Sequence, residues 1–196
     1  MESGFRPSMP GPEGDSAGRI NQYALVAYID GKLGDFLFRL RQEIVPGCNL
    51  RSHVSILPPR PLTGEQAEAI TFLQASTRAQ AAFAVSLAQI EIFPVTNVIY
   101  IGIGGGLPEL HTMHGKFNAQ ALQYKEPFPY HPHITLAQEI APDAHADVHQ
   151  LCLGRWKEYD GPRHFPVETL TFVQNTSKCG WLDLAETHLE MAGSRL

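Results

Sequence analysis

The sequence contains no long hydrophobic run. Nothing in it approaches the roughly 18 consecutive apolar residues of a membrane-spanning helix. The N-terminus, MESGFRPSMPGPEGDSAGR, has no apolar stretch of signal-peptide length. Both absences point to a soluble, cytoplasmic protein with no membrane partner. Cysteine is scarce: there are three, Cys48, Cys152 and Cys179, an odd number with no two at a CxxC spacing. That speaks against a disulfide framework and a cysteine-rich zinc site, and fits reduced thiols in a cytosolic chain. A basic excess is missing too, since Lys and Arg number 15 against 20 Asp and Glu, for a net charge of −5. Proteins that wrap long nucleic acid carry surplus cations, because neutralised phosphates supply most of their affinity. This balance points instead to a small ligand or to the end of a nucleic acid, with room for a local basic pocket.

The chain has 196 residues, 43% of them hydrophobic and 18% charged, an ordinary globular composition. That length supports one sizeable core, or two small lobes that share one. Residues 1–20 are rich in Gly, Pro and Ser without periodicity and read as a disordered tail; residues 21–192 read as a single domain. Gln22 to Asp30 is an apolar run ended by Asp-Gly, which predicts a buried strand. Leu33, Phe36, Leu37, Leu40 and Ile44 then follow helical spacing, and Pro46-Gly47 closes that helix. Ser52 to Leu57 is short and β-branched, and Pro58-Pro59 is expected to stop it. Thr63 to Gln66 has a capping-box pattern, opening a second helix that buries Ala67, Ile70 and Leu73. Residues 83–92 alternate as a strand does, with a bulge expected near Ala88, and Asn97 to Ile103 is a further strand. A third helix runs from Leu107 through Phe117 to Ala121. A strand at His133 to Leu136, a helix at Asp143 to Trp156 and two closing strands, Val167 to Gln174 and Gly180 to Leu189, complete the order. Helices and strands mix along the whole chain, so the class is α+β or α/β, and the turns favour antiparallel sheet.

Two segments share one pattern. His53-Val54-Ser55-Ile56 and His133-Ile134-Thr135-Leu136 each read histidine, apolar, hydroxyl, apolar, each on a predicted strand. Strand side chains alternate between faces, so Val54, Ile56, Ile134 and Leu136 would enter the core. His53 with Ser55, and His133 with Thr135, would emerge together on the other face. That set suits phosphodiester cleavage, in which one group takes a proton from the nucleophile and another gives one to the leaving oxygen. Histidine, with an ordinary pKa near 6.5, serves in either role. The hydroxyls would hydrogen-bond the non-bridging oxygens and hold the phosphate between the rings without a metal. One such tetrapeptide is weak support; two matched ones on strands are much stronger.

On these motifs the chain resembles the 2H phosphoesterase superfamily, also called the 2'-5' RNA ligase-like or cyclic phosphodiesterase family. Its signature is two H-Φ-[S/T]-Φ motifs, Φ being apolar, and here His53 and His133 stand 80 residues apart. Pro132 before the second motif, and Pro58 and Pro59 after the first, resemble the bacterial branch. The resemblance runs from Gln22 to Leu189. It implies a bilobal α+β fold, with two antiparallel sheets related by a pseudo-two-fold axis and one motif from each lobe facing a central groove. It also implies hydrolysis of a 2',3'-cyclic phosphate or a related nucleotide or RNA-end phosphodiester, with His53 and His133 catalytic, Ser55 and Thr135 binding phosphate, and no cofactor. Cleavage or joining of 2'-5' linkages, and capture of a nucleotide or RNA end without turnover, are the alternatives. A monomer is expected.

Other features have two readings each. Arg51 and Arg60 flank the first motif, as phosphate ligands or as solvated surface. Phe128 and Tyr130 precede the second, placed to stack on a base or to pack in the core. His131 would line the groove if the strand continues through Pro132, and lie in a loop otherwise. His111 and His114 have the i, i+3 spacing of a metal pair, but lack an evident acidic or cysteine partner, which favours ordinary helix histidines. Gly102 to Gly106 lacks the register of a phosphate loop and reads as a tight strand-to-helix turn. Tyr100 is given no role.

Overall fold

The computed structural model describes residues 18–177 and 180–190. Two four-stranded antiparallel sheets carry the fold, with helices packed against them. In chain order the first part comprises β1 (Arg19–Tyr28), α1 (Gly31–Ile44), β2 (His53–Arg60) and α2 (Gln66–Thr77). Next come β3 (Phe83–Ile92), β4 (Ile99–Gly105), α3 (Leu107–Phe117), a short 3-10 turn at Gln120–Leu122 and β5 (His133–Ala137). Last come α4 (His145–Glu158), β6 (His164–Val167), β7 (Thr169–Thr176) and β8 (Trp181–His188). The sheet orders are β2-β1-β7-β8 and β5-β4-β3-β6. Among the described residues no helix is long and apolar enough to cross a membrane.

The two sheets repeat one scheme. In each, a central strand leads through a helix to an antiparallel edge strand: β1-α1-β2 in one, β4-α3-β5 in the other. This agrees with the pseudo-two-fold relation that the resemblance implies. The two edge strands, β2 and β5, lie against each other where the lobes meet. Both histidine motifs are on them. Their apolar members, Val54, Ile56, Ile134 and Leu136, are all 1% exposed or less, and they join one core that runs through both sheets. Burying each such side chain contributes roughly 1.5–3 kcal/mol, which pins the register and turns the histidine–hydroxyl face outward.

Several expectations change in detail. β1 begins at Arg19, so Arg19 and Ile20 belong to the sheet and not to the tail; residues 1–17 of the expected tail lie outside the described residues. Pro58-Pro59 does not stop β2, which runs on to Arg60. β2 is an edge strand, so one side is free of ladder bonds, and its register against β1 slips between Leu57 and Arg60, so neither proline has to supply a ladder N–H. The capping box of α2 is Glu65 with Glu68, not Thr63 with Gln66. The Glu65 side chain accepts from the backbone of Glu68, and Glu68 accepts from the N–H of Glu65 at 3.2 Å. The shift turns α2, so Ala69, Leu73 and Thr77 are buried while Ala67 is exposed and Ile70 half-buried. α3 ends at Phe117, with Ala121 in the 3-10 turn. β6 was not foreseen; it pairs with β3 at the sheet's outer edge. The register of β3 against β4 slips between Ser86 and Ile90, a bulge around the expected Ala88.

Candidate functional site

Each histidine opens its strand and is held the same way. His53 Nδ1 lies 2.7 Å from the carbonyl oxygen of Arg51, and His133 Nδ1 lies 2.7 Å from that of His131. A carbonyl only accepts, so Nδ1 carries the hydrogen in both rings. In the neutral rings Nε2 therefore keeps its lone pair. Two imidazoles from different lobes are thus set in one tautomer by the same i−2 contact, with the same nitrogen left to react.

Aromatic side chains bracket both rings. His53 has Trp181 of β8 at 5.2 Å and Tyr28 of β1 edge-on at 6.3 Å, measured between ring centres. His133 has Phe93 at 4.9 Å and Tyr100 at 5.2 Å, both edge-on, and those two stack on each other at 4.0 Å. Removal of water by these neighbours disfavours the charged imidazolium. It lowers the His53 pKa from the usual value to about 4, despite the carbonyl of Arg51, and the charges of Arg41 and His133 add to the fall. Burial likewise holds His133 below its ordinary value, with the neighbouring His131 acting in the same direction. Both rings are neutral at pH 7 in the unliganded site.

Ser55 and Thr135 follow two residues on, each partly exposed on its histidine's face. Their main-chain carbonyls are both engaged from the opposite lobe: Tyr130 donates its hydroxyl to Ser55 O at 2.8 Å, and Arg41 donates Nη1 to Thr135 O at 3.3 Å.

Two cavities flank the pair. One, of about 610 Å³, is lined largely by apolar and aromatic groups, among them Phe93, Val95, Phe128, Tyr130, His131 and His133. Its charged carboxylate, Glu126, is paired with Arg60. The other, of about 100 Å³, lies beside His53 and is lined by Tyr28, Asn49, Leu50, Arg51, Trp181 and Asp183.

The remaining candidates separate. Arg51 lies over the Tyr28 ring at 3.7 Å and pairs with Asp30 at 3.2 Å and Asp183 at 3.7 Å, at the wall of the smaller cavity. Phe128, 57% exposed, stands at the rim of the larger one, where His131 and Tyr130 also reach. Arg60 is a correction: it is 1% exposed and cannot line a groove. Its guanidinium is spent on Glu126, Asn118 and two main-chain carbonyls, tying the segment after α3 to β2. His114 stacks on Tyr130 at 3.9 Å and bonds Ile56 O at 2.9 Å, and His111 meets the same tyrosine edge-on, so both helix histidines have packing roles. Among the described residues no group of three His, Cys, Asp or Glu comes together as a metal site.

Four residues at the rings went unassigned in the sequence: Tyr28, Phe93, Tyr100 and Trp181. All are remote from the motifs along the chain; Tyr28, Tyr100 and Trp181 lie on strands and Phe93 just after β3, and such aromatics carry no signal of which face they share. Arg41 was also missed, although it left one. Leu33, Leu37 and Arg41 sit at i, i+4, i+8, so a cation occupies the apolar stripe of α1.

The sequence profile described as "2'-5' RNA ligase superfamily" matches residues 43–178. A protein of Bacillus pumilus named "Putative phosphoesterase" is 27% identical over 130 residues, covering 65% of this chain and 75% of its own length. A protein of the same description from Bacillus licheniformis is 23% identical over 163 residues, covering 82% and 94%. Among solved structures, Escherichia coli LigT in its apo form superposes with a TM-score of 0.59 at 16% identity, over 89% of this chain and 99% of LigT. Its complex with 3'-AMP gives 0.59 at 15%, over 88% and 98%. TT0787 of Thermus thermophilus gives 0.56 at 17%, over 86% and 97%. These structural likenesses establish the bilobal α+β fold.

Proposed function

The chain belongs to the 2'-5' RNA ligase superfamily of two-histidine phosphoesterases, and from that premise we propose that it hydrolyses a 2',3'-cyclic phosphate or a related cyclic nucleotide phosphodiester without a metal. The observation that carries this reading is the matched pair of imidazoles. Both have Nδ1 tied to a carbonyl and Nε2 without a hydrogen-bond partner among the described residues, and each has a hydroxyl two residues further along the same face.

The phosphate would sit between the rings, its non-bridging oxygens accepting from the hydroxyls of Ser55 and Thr135. One neutral histidine accepts a proton at Nε2 from an attacking water. The water oxygen bonds to phosphorus as the P–O bond to the sugar breaks in line, and the other histidine, protonated, passes its proton to the departing oxygen. The product is a phosphomonoester with a free neighbouring hydroxyl, and the base ends protonated, ready to exchange with solvent. A bound phosphate anion favours the imidazolium, opposing the burial that keeps the rings neutral. The larger cavity lies within the 300–1,000 Å³ usual for small-molecule sites, and its aromatic lining suits a nucleobase. The 3'-AMP complex of LigT supports a nucleotide as ligand.

The test is incubation of the purified protein with a 2',3'-cyclic nucleotide in EDTA, beside His53→Ala and His133→Ala. We expect ring opening by the wild type, unaffected by chelator, and a loss of at least about 100-fold in kcat in either variant, the range for removing a general acid or base. Full activity in either variant would overturn the mechanism. Saturable nucleotide binding with no product from any cyclic or 2'-5' substrate would favour a binding module instead.

A further inference from the structure

Arg41 is 8% exposed, yet among the described residues no carboxylate lies within ion-pair distance of it. A buried guanidinium without a counter-charge is costly, and such groups persist where something else supplies the negative charge. Arg41 projects from α1 of the first lobe, donating Nε to Cys48 Sγ at 3.2 Å and Nη1 to Thr135 O on β5 of the second. Its charge reaches the first motif too, where it opposes protonation of His53. So one cation stands at the seam, in contact with one motif and in electrostatic reach of the other.

The opposite lobe returns the contact. Tyr130, just before the second motif, donates its hydroxyl to Ser55 O of the first at 2.8 Å. Its ring is held flat on His114, which itself bonds Ile56 O. β2 and β5 are edge strands of separate sheets, so no ladder fixes the distance between them. Each is instead gripped from across the seam, at the carbonyl of its own hydroxyl residue.

We propose that Arg41 and Tyr130 are reciprocal positioning residues that set the separation of the two histidine motifs, and that the guanidinium of Arg41 supplies the fixed positive charge against which an anionic phosphate is held. This rests on the reading of the groove as a phosphate site. It goes beyond the motifs, because neither residue belongs to them.

The two parts are read with two anions, without turnover. Inorganic phosphate reports on charge. Orthovanadate, which adopts five-coordinate geometry between two correctly spaced ligands, reports on the separation of the rings. Thermal melting first confirms that each variant is folded. Titration calorimetry should then show Arg41→Met binding phosphate at least about tenfold more weakly, the loss expected for one charged partner. Arg41→Lys should recover phosphate affinity to within about threefold, since the charge remains. It should not recover the preference for vanadate, because an ammonium lacks the planar fork that spans Cys48 and Thr135. Tyr130→Phe keeps the stack on His114 and loses only the hydroxyl, so it should leave phosphate binding within about twofold while reducing vanadate binding about tenfold, as for one lost hydrogen bond. Folded Arg41→Met that binds phosphate as wild type does overturns the charge assignment. An unchanged vanadate-to-phosphate ratio in Tyr130→Phe and Arg41→Lys overturns the positioning role. Wild type that binds both anions but hydrolyses nothing counts against the proposed reaction alone; wild type that binds neither overturns the inference and its premise together.

Discussion

The two imidazoles enter the groove already poor in protons. Free histidine has a pKa near 6.5, whereas His53 is lowered to about 4 and His133 is lowered as well. Since kcat/KM reports the free protein, both limbs of its pH profile should lie below the ordinary histidine value. The base limb rises as the first ring of the pair loses its proton, and the acid limb falls as the last proton leaves the pair. Cyclic phosphate hydrolysis should therefore peak in mild acid and already be declining at about pH 6.5; a falling limb centred above that value would contradict the lowered values. Stability has its own sign. The unfolded chain, with ordinary histidines, takes up protons before the folded one, so stability is lost as pH drops from about 6.5 toward 4. Urea midpoints should fall over that window, and fall less in His53→Asn. Legibility at this scale ended with the tetrapeptides. The period of two placed His53, Ser55, His133 and Thr135 on the strand faces turned away from the core, whereas Tyr100 and Trp181 reach the rings only through sheet pairing that local sequence does not encode.

Element boundaries depended on which side of a sheet was free. Pro58-Pro59 reads as a stop only if β2 needs an unbroken ladder, and its edge position on one side and the register slip against β1 on the other remove that need. β6 escaped notice because four residues, His-Phe-Pro-Val, are too few to establish alternation, and their pairing with β3 is a tertiary event. α1 was plain from its leucines, and Gly34 is the position that lets it close on the turn after β1. A Cβ there would run into the backbone carbonyl of Ile29. Gly34→Ala should therefore destabilise by about 1–3 kcal/mol, the usual range for overpacking, although alanine is the better helix former. A stability equal to wild type in urea denaturation would show that α1 can shift to admit the methyl group. Because Arg41 shares this helix, such a shift should also weaken phosphate binding.

The molecule as a whole has two lobes by topology and one by packing. Side chains from β1, β2 and β7 join those from β3, β4 and β5 in a single buried cluster. Cooperative unfolding should follow, and the two tryptophans offer one reporter per lobe. Trp181 is on β8, and Trp156, on α4, donates to Ala88 O of β3 at 3.0 Å. Single-tryptophan variants, Trp156→Phe and Trp181→Phe, should each show one urea transition whose far-UV and fluorescence midpoints coincide. Midpoints separated by more than error within either variant would mean that the lobes open independently. The bilobal architecture was legible through the resemblance that the two histidine motifs carry, which implies one motif from each lobe. The shared core was not, since apolar residues do not announce their partners.

Strands at the rim of a sheet are where a protein is most exposed to self-association, because their unpaired groups can recruit another chain. β2 and β5 are such rims, lying against each other where the lobes meet. The Pro58-Pro59 pair removes a donor from the first, Tyr130 and His114 occupy carbonyls on it, and Arg41 occupies one on the second. The groups that hold the groove at its working width therefore also deny these rims to other molecules, and loosening them should turn a catalytic defect into an aggregation defect.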